Sequence, residues 1–191
     1  QNWFQHPQFP TTATAITDWN IPVVAFSEDY TNDAVVLLGR VRQDTIQGTD
    51  RGEIWRSSNG GNSFNKVKNL LSGAQSLLCT PPGPSGQRTW LVTTRSYPNL
   101  GTFLGTGVLS STDNGLTWND FGNEQDFLME DSPGKVSGYA PLNFEQQIAV
   151  YPDYATRGEV WYGRQEGLFV SSNEGINWEQ RQMRMEREFR D

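Results

Sequence analysis

The sequence predicts an all-β protein of about three four-stranded antiparallel sheets, and three observations carry that prediction. The first is a short pattern, S-x-[DN]-x-G-x-x-[WF], present at Ser57 to Phe64, Ser111 to Trp118 and Ser171 to Trp178. The second is a longer repeat around it. Val24-Ala25-Phe26-Ser27-Glu28-Asp29-Tyr30, followed by Ala34 to Arg40, returns as Ile148-Ala149-Val150-Tyr151-Pro152-Asp153-Tyr154, followed by Gly158 to Arg164. Such a repeat marks one supersecondary unit per copy, each stacked on its neighbours. The third is composition: 12% aromatic residues with 19 Gly and 10 Pro in 191 residues suit short strands joined by tight turns.

Taken in order, residues 1–20 are polar and Thr-rich with Trp3, Phe4 and Phe9 among them, and fit either an arm or the last strand of a preceding unit. Each unit then parses as strands A to D. Strand A lies at about 22–27, 75–80 and 147–151, and strand B at about 34–40, 89–95 and 158–164. In the first unit strand B is apolar from Val35 to Leu38, the pattern of a sheet covered on both faces. Strand C, at about 53–57, 106–111 and 166–171, runs into the short pattern, and strand D leaves it carrying Phe64, Trp118 or Trp178.

The B–C connections differ. Gln165 and Glu166 alone separate the strands in the third unit, whereas polar stretches are inserted at Val41 to Arg51 and around Ser96-Tyr97-Pro98-Asn99. Between the second and third units, residues 122–145 hold an acidic cluster (Glu124, Asp126, Glu130, Asp131) and Pro133-Gly134, and read as a surface loop. The charged end, Arg181 to Asp191, fits an amphipathic helical tail or the solvated end of strand D.

The short pattern is turn chemistry. Asn59, Asp113 and Asn173 each offer a short acceptor oxygen to backbone N–H groups just ahead, while Gly61, Gly115 and Gly175 supply a positive φ. The aromatic three residues later, Phe64, Trp118 or Trp178, folds back over the turn. Ser57, Ser111 and Ser171 open the three copies. An Asn accepts the same bonds as an Asp, so the two departures from Asp are expected to cost little. The pattern resembles the Asp-box, or BNR, repeat of β-propellers, a family that includes sialidases, sortilin-type receptors, some endoglucanases and photosystem II assembly factor-like proteins.

The resemblance covers nearly all of residues 22–180. It implies blades at 21–70, 71–121 and 146–183, with an N-terminal arm or strand at 1–20, a linker at 122–145 and a tail at 184–191. Propellers close with about four to eight blades, so three leave the ring incomplete and call for other chains, further copies or further sequence of a longer protein. In such a blade the A–B and C–D turns share one end and the B–C and D–A connections the other. The Asp-box turns are then structural staples at the first end, as are the recurring Asp29-Tyr30 and Asp153-Tyr154, with Asp33 and Glu159 beside them.

Arg40, Arg95 and Arg164 end strand B and would open onto the second end. If they converge there, paired charge-assisted hydrogen bonds suit a carboxylate, a sulfate or an acidic partner. Alternatively each pairs with a neighbouring carboxylate. A photosystem II assembly factor-like role, in which an arginine-rich face holds partner proteins, is compatible with them.

Composition narrows the function further. A formal net charge of −7 disfavours broad nucleic-acid binding, and no apolar run approaches a membrane span of roughly 20 residues. Cys79 is the only cysteine, so no internal disulfide or cysteine-built metal site is expected, and its strand setting reads as a buried small hydrophobe. His6 is the lone histidine, without partners for a His-based triad or a zinc site; an EF-hand-type loop is missing, and no cofactor is expected. The chain has no starting methionine and no signal-like apolar stretch, as expected of a processed mature form or a piece of something longer. The expectation is a non-catalytic propeller segment, no enzyme, acting as scaffold, assembly or protein- or glycan-binding module in an extracytoplasmic (secreted or periplasmic) complex. The alternative is a glycosidase-like segment of sialidase or endoglucanase type, although the arginine–isoleucine–proline motif that opens sialidase domains is missing.

Overall fold

Twelve of the strands pair in chain order, A to B to C to D, into three separate four-stranded antiparallel sheets. The computed structural model describes residues 19–42, 52–70, 73–94, 97–99, 102–104, 107–121, 147–164 and 167–181. Blade 1 consists of β1 (Trp19–Phe26), β2 (Val36–Arg42), β3 (Gly52–Ser57) and β4 (Asn65–Leu70). Blade 2 consists of β5 (Ala74–Cys79), β6 (Trp90–Thr94), β9 (Gly107–Ser111) and β10 (Asn119–Phe121). Blade 3 consists of β11 (Gln147–Val150), β12 (Val160–Arg164), β13 (Gly167–Ser171) and β14 (Glu179–Arg181). The fold is all-β and propeller-like, and the three blades form no closed ring.

The polar insertion expected after β6 contains a small hairpin of its own, β7 (Tyr97–Asn99) with β8 (Thr102–Leu104). The A–B turns hold a second addition. Tyr30–Asp33 (α1) and Tyr154–Arg157 (α2) each form one helical turn, with Asp29 and Asp153 at the N-cap positions. Both turns end on a left-handed residue, Ala34 at φ 50° in the first and Gly158 at φ 58° in the second. Residues 1–18, 43–51, the 122–145 linker and the 184–191 tail lie outside the described residues.

Strand alternation gives each blade two faces, and the core lies between blades. Val35, Leu37, Ile54 and Leu70 of blade 1 pack with Leu77, Cys79, Trp90, Val92, Leu109 and Trp118 of blade 2. Leu91 and Val108, on the other face of blade 2, pack with Ile148, Tyr154, Val160, Tyr162 and Phe169 of blade 3. The uninterrupted apolar run of β2 has a different cause on its two sides. Leu37 is covered by blade 2, whereas Val36 and Leu38 are buried by Tyr30, Trp55 and Phe64 of their own blade.

Candidate functional site

The three repeats of the short pattern form one clasp, built from the serine outward. In each, the serine Oγ accepts the backbone N–H of the glycine four residues on, at 2.9 Å (Gly61 to Ser57, Gly115 to Ser111, Gly175 to Ser171). The same hydroxyl donates to the acceptor side chain, at 2.8 Å to Asn59 and Asp113 and 3.0 Å to Asn173. That side chain then accepts the N–H of Ser63, Thr117 or Asn177. Trp118 and Trp178 lock the turn by donating Nε1–H to the carbonyls of Gly115 and Gly175 at 3.2 and 3.0 Å. Phe64 covers its turn without that bond.

Asp and Asn are less alike here than their acceptor oxygens imply. Asp113 takes the N–H groups of Leu116 and Thr117 and, with its second oxygen, the hydroxyl of Thr117 at 2.6 Å. Asn59 has an amide at that place and donates it to Ser63 Oγ at 2.9 Å. Burial alone would raise the Asp113 pKa, but the hydrogen bonds from Thr117, Ser111 and Leu116 outweigh it and hold the carboxyl below its usual range.

Clasp and A–B turn meet at one end of each outer blade. Gly60 N–H bonds Ala34 O in blade 1, and Glu174 N–H bonds Gly158 O in blade 3. From there the clasp reaches the preceding blade. Asn114 of blade 2 donates Nδ2–H to Asp33 of blade 1 at 3.4 Å, and its carbonyl accepts from Arg56 Nε at 2.7 Å. Glu174 of blade 3 accepts from both the backbone N–H and the hydroxyl of Ser85 in blade 2, at 2.9 and 2.7 Å. Arg88 and Asp29 add an ion pair at 2.9 Å across the first interface. Sequence reasoning missed these latch residues. Their one signal is the place just before the clasp glycine, where Asn114 and Glu174 are held at φ 59° and Gly60 at 70°.

The clasp glycines fit the interfaces closely. A Cβ on Gly115 would stand 2.8 Å from Leu37 Cδ1, and one on Gly175 3.0 Å from Leu91 Cδ2. Gly61 is different: among the described residues, a Cβ there meets only its own Phe64, at 3.8 Å.

At the opposite end, Arg40 is held inside its own sheet. Its Nη1 is 3.3 Å from Glu53 Oε2, and its guanidinium carbon is 5.3 Å from the centroid of the Trp55 ring. Burial lowers its pKa while Glu53 opposes that shift. Glu53 also accepts Trp55 Nε1–H at 2.6 Å and pairs with Lys66 at 3.4 Å. Arg164 ends β12 opposite Gly167, in the register place Arg40 holds opposite Glu53. In blade 2 that place, opposite Gly107, belongs to Thr94. Arg95 itself lies outside the described residues.

The A–B turns are tied internally. Asp33 accepts Ser27 Oγ–H at 2.7 Å and Val35 N–H at 2.9 Å, and Glu159 accepts Trp161 Nε1–H at 2.7 Å while pairing with Arg157 at 2.9 Å. Burial raises the Tyr154 pKa, with the Thr80 and Thr89 hydroxyls opposing. Cys79 is buried, and desolvation pushes its thiol up to about 11. Among the described residues, no group of three or more His, Cys, Asp or Glu is placed to hold a metal, and no helix is long and apolar enough to cross a membrane.

No family model matches the chain, and no curated protein matches it. Among solved structures it is similar to the crystal structure of a GH74 enzyme from Niastella koreensis, with a TM-score of 0.50 and 19% identity over 85% of this chain. The chain spans 22% of the length of that protein. At such low identity the likeness bears on the fold alone, and it agrees with the propeller-like stack of sheets.

Proposed function

We propose that the chain is a segment of an Asp-box (BNR-repeat) β-propeller and serves as a non-catalytic scaffold, assembly or protein- or glycan-binding module in an extracytoplasmic complex. The observation that supports this best is where its carboxylates are used. Glu53 lies against Arg40, Lys66 and Trp55, and Asp29 meets Arg88 across the first interface. Glu174 meets Ser85 across the second, and Glu159 meets Arg157 and Trp161. Glu53, Asp29 and Glu174 thus join strands or blades, and Glu159 is engaged by residues of its own turn and strand. Glycoside hydrolysis instead needs two carboxyl groups facing one space, roughly 5–9.5 Å apart.

The alternative, a glycosidase-type segment, draws on the enzyme named for the structural neighbour and on the acidic 122–145 linker, which is outside the described residues. Incubation of the assembled protein with sialosides and β-glucans separates the two readings. Retention of glycan or partner without release of free sugar is the expected result. Release of sugar above a buffer control would reject the non-catalytic reading.

A further inference from the structure

The chain contains two Asn–Gly links, Asn59–Gly60 and Asn114–Gly115, and both lie in clasps. Such a link is chemically labile, because glycine has no Cβ to keep its backbone nitrogen away from the asparagine side chain. The nitrogen bonds to the asparagine Cγ, Nδ2 leaves as ammonia with the proton that the nitrogen gives up, and a cyclic imide remains. Water then opens the imide on either side. The product is an aspartate or an isoaspartate, whose main chain runs through the former side chain.

What holds Asn114–Gly115 comes largely from the other blade. The peptide unit between the two residues is gripped at both ends. Its N–H donates to Ser111 Oγ at 2.9 Å inside the blade 2 clasp, and its carbonyl accepts from Arg56 Nε of blade 1 at 2.7 Å. The side-chain amide is tied to Asp33, also of blade 1, at 3.4 Å. Gly115 is buried with its proton engaged, so its nitrogen is kept from attacking Cγ. Among the described residues, blade 1 thus supplies two of the three holds.

Asn59–Gly60 depends on its own blade instead. Gly60 N–H donates to Ala34 O at 3.0 Å, and the Asn59 amide is bonded to Ser57 and Ser63. An aspartate at 59 would only be the residue that Asp113 already is in its clasp.

At 114 the product has no such welcome. Glu174 holds the same place in the blade 3 clasp, and its carboxylate faces two donors, the backbone N–H and the hydroxyl of Ser85. Asn114 faces an acceptor. A carboxylate at 114 sets like charges together at Asp33, and an isoaspartate adds a main-chain atom beside Gly115, where even a Cβ would stand 2.8 Å from Leu37 Cδ1.

We propose that Asn114–Gly115 is a deamidation site guarded by blade 1, and that its conversion releases the latch between blades 1 and 2 in one direction only. The inference goes beyond the scaffold reading and does not depend on it. Separation of the two blades frees the link, and the product no longer fits the closed contact.

The test follows loss of the amide at both links by peptide mass mapping, with the full chain held in warm, mildly alkaline buffer. In the folded wild-type chain Asn114 is expected to convert far more slowly than in the same chain unfolded in urea. Arg56→Met keeps much of the side-chain stem and removes the hydrogen bond. It is expected to speed conversion at Asn114 about fivefold, the increase in the open population that one lost hydrogen bond brings, and to leave Asn59 unchanged. Arg56→Lys, which restores a cation, is expected to fall between.

Conversion of Asn114 as fast in the folded chain as in urea would overturn the guarding. So would an Arg56→Met rate equal to that of the wild type, or one raised equally at both links, the mark of global unfolding. Urea midpoints read the one-way step. Asn114→Asp is expected to lower the midpoint in the wild-type background and to lower it much less beside Asp33→Asn, where the like charge is gone. Equal losses in the two backgrounds would overturn the one-way release.

Discussion

Val24 and Ile148 hold the same place in their sheets, opposite Leu38 and Tyr162, yet Val24 is 56% exposed and Ile148 6%. Their neighbours differ in the same sense. Tyr154 is 1% exposed against blade 2, whereas its counterpart Tyr30 stands partly open in an edge-to-face contact with Phe26, 5.2 Å between centroids. The two stretches follow the same pattern, with Ala25, Asp29 and Tyr30 returning as Ala149, Asp153 and Tyr154 and aliphatic Val24 as aliphatic Ile148, so side-chain type at these places does not cause the difference. What lies opposite does: blade 2 covers the face of blade 3, and nothing among the described residues covers that of blade 1. A strand position in this fold has no fixed worth until its facing blade is specified.

The largest test of that comparison is paired truncation. Ile148→Ala is expected to cost about 2–5 kcal/mol, as for a buried aliphatic side chain that leaves a cavity. Val24→Ala in dilute protein is expected to stay within about 0.5 kcal/mol. Urea denaturation of both variants reads the difference directly, and equal losses would show that blade 1 is covered as blade 3 is.

The clasp glycines extend the comparison from side chains to turns. Gly61 and Gly115 share a positive φ, 90° and 78°, so alanine costs about 1–2 kcal/mol of backbone strain at either. Gly115→Ala also drives a Cβ to 2.8 Å from Leu37, and the overpacking is expected to add about 1–3 kcal/mol that Gly61→Ala escapes. Differential scanning calorimetry of the two variants should order them accordingly.

A smaller effect is expected in the A–B turns. Ala34 sits at φ 50° where Gly158 sits at 58°, so Ala34→Gly is expected to stabilise blade 1 by about 0.5–1 kcal/mol, measurable as a raised urea midpoint. Gly158→Ala is expected to move the midpoint the other way. It adds strain, and its Cβ would stand 2.9 Å from Glu174 Cγ.

The last contrast is between clasps and depends on pH. Asp113 titrates and Asn59 and Asn173 do not. Its folded pKa lies below the usual carboxyl value, so its contribution is present above that value and is lost as pH falls through the lowered one. Below about pH 4 the wild-type chain is therefore expected to lose stability that Asp113→Asn does not lose, read as the difference between two melting curves taken across pH. Parallel curves would mean that the blade 2 clasp does not depend on the charge.

Much of the architecture was legible in the chain, for a physical reason visible in the clasps. Every clasp hydrogen bond closes within a few residues, Ser111 with Gly115 and Asp113 with Thr117, so spacing alone reports it. The A–B–C–D order followed from the same repeats, as did the place of each strand to within a few residues. The latch was not legible. Arg56 and Asn114 are 58 residues apart, Asp33 and Asn114 81, and Ser85 and Glu174 89, and nothing local marks one as the partner of another.

The arginines show the same limit. Arg40, Arg95 and Arg164 look equivalent as strand ends, but the pairing register sets Arg40 and Arg164 level with Thr94. Register is a relation between strands, which spacing along one strand does not report, and Arg95 lies outside the described residues.

By itself, the sequence determined the turns and the strands, because serine, a short acceptor, glycine and an aromatic at fixed spacing satisfy one another without help from the rest of the chain. Only the tertiary structure decided which strand faces became core and which glycines needed to be glycines for space as well as for φ. Burial is a property of a pair of surfaces, and the second surface of each pair here lies dozens of residues away.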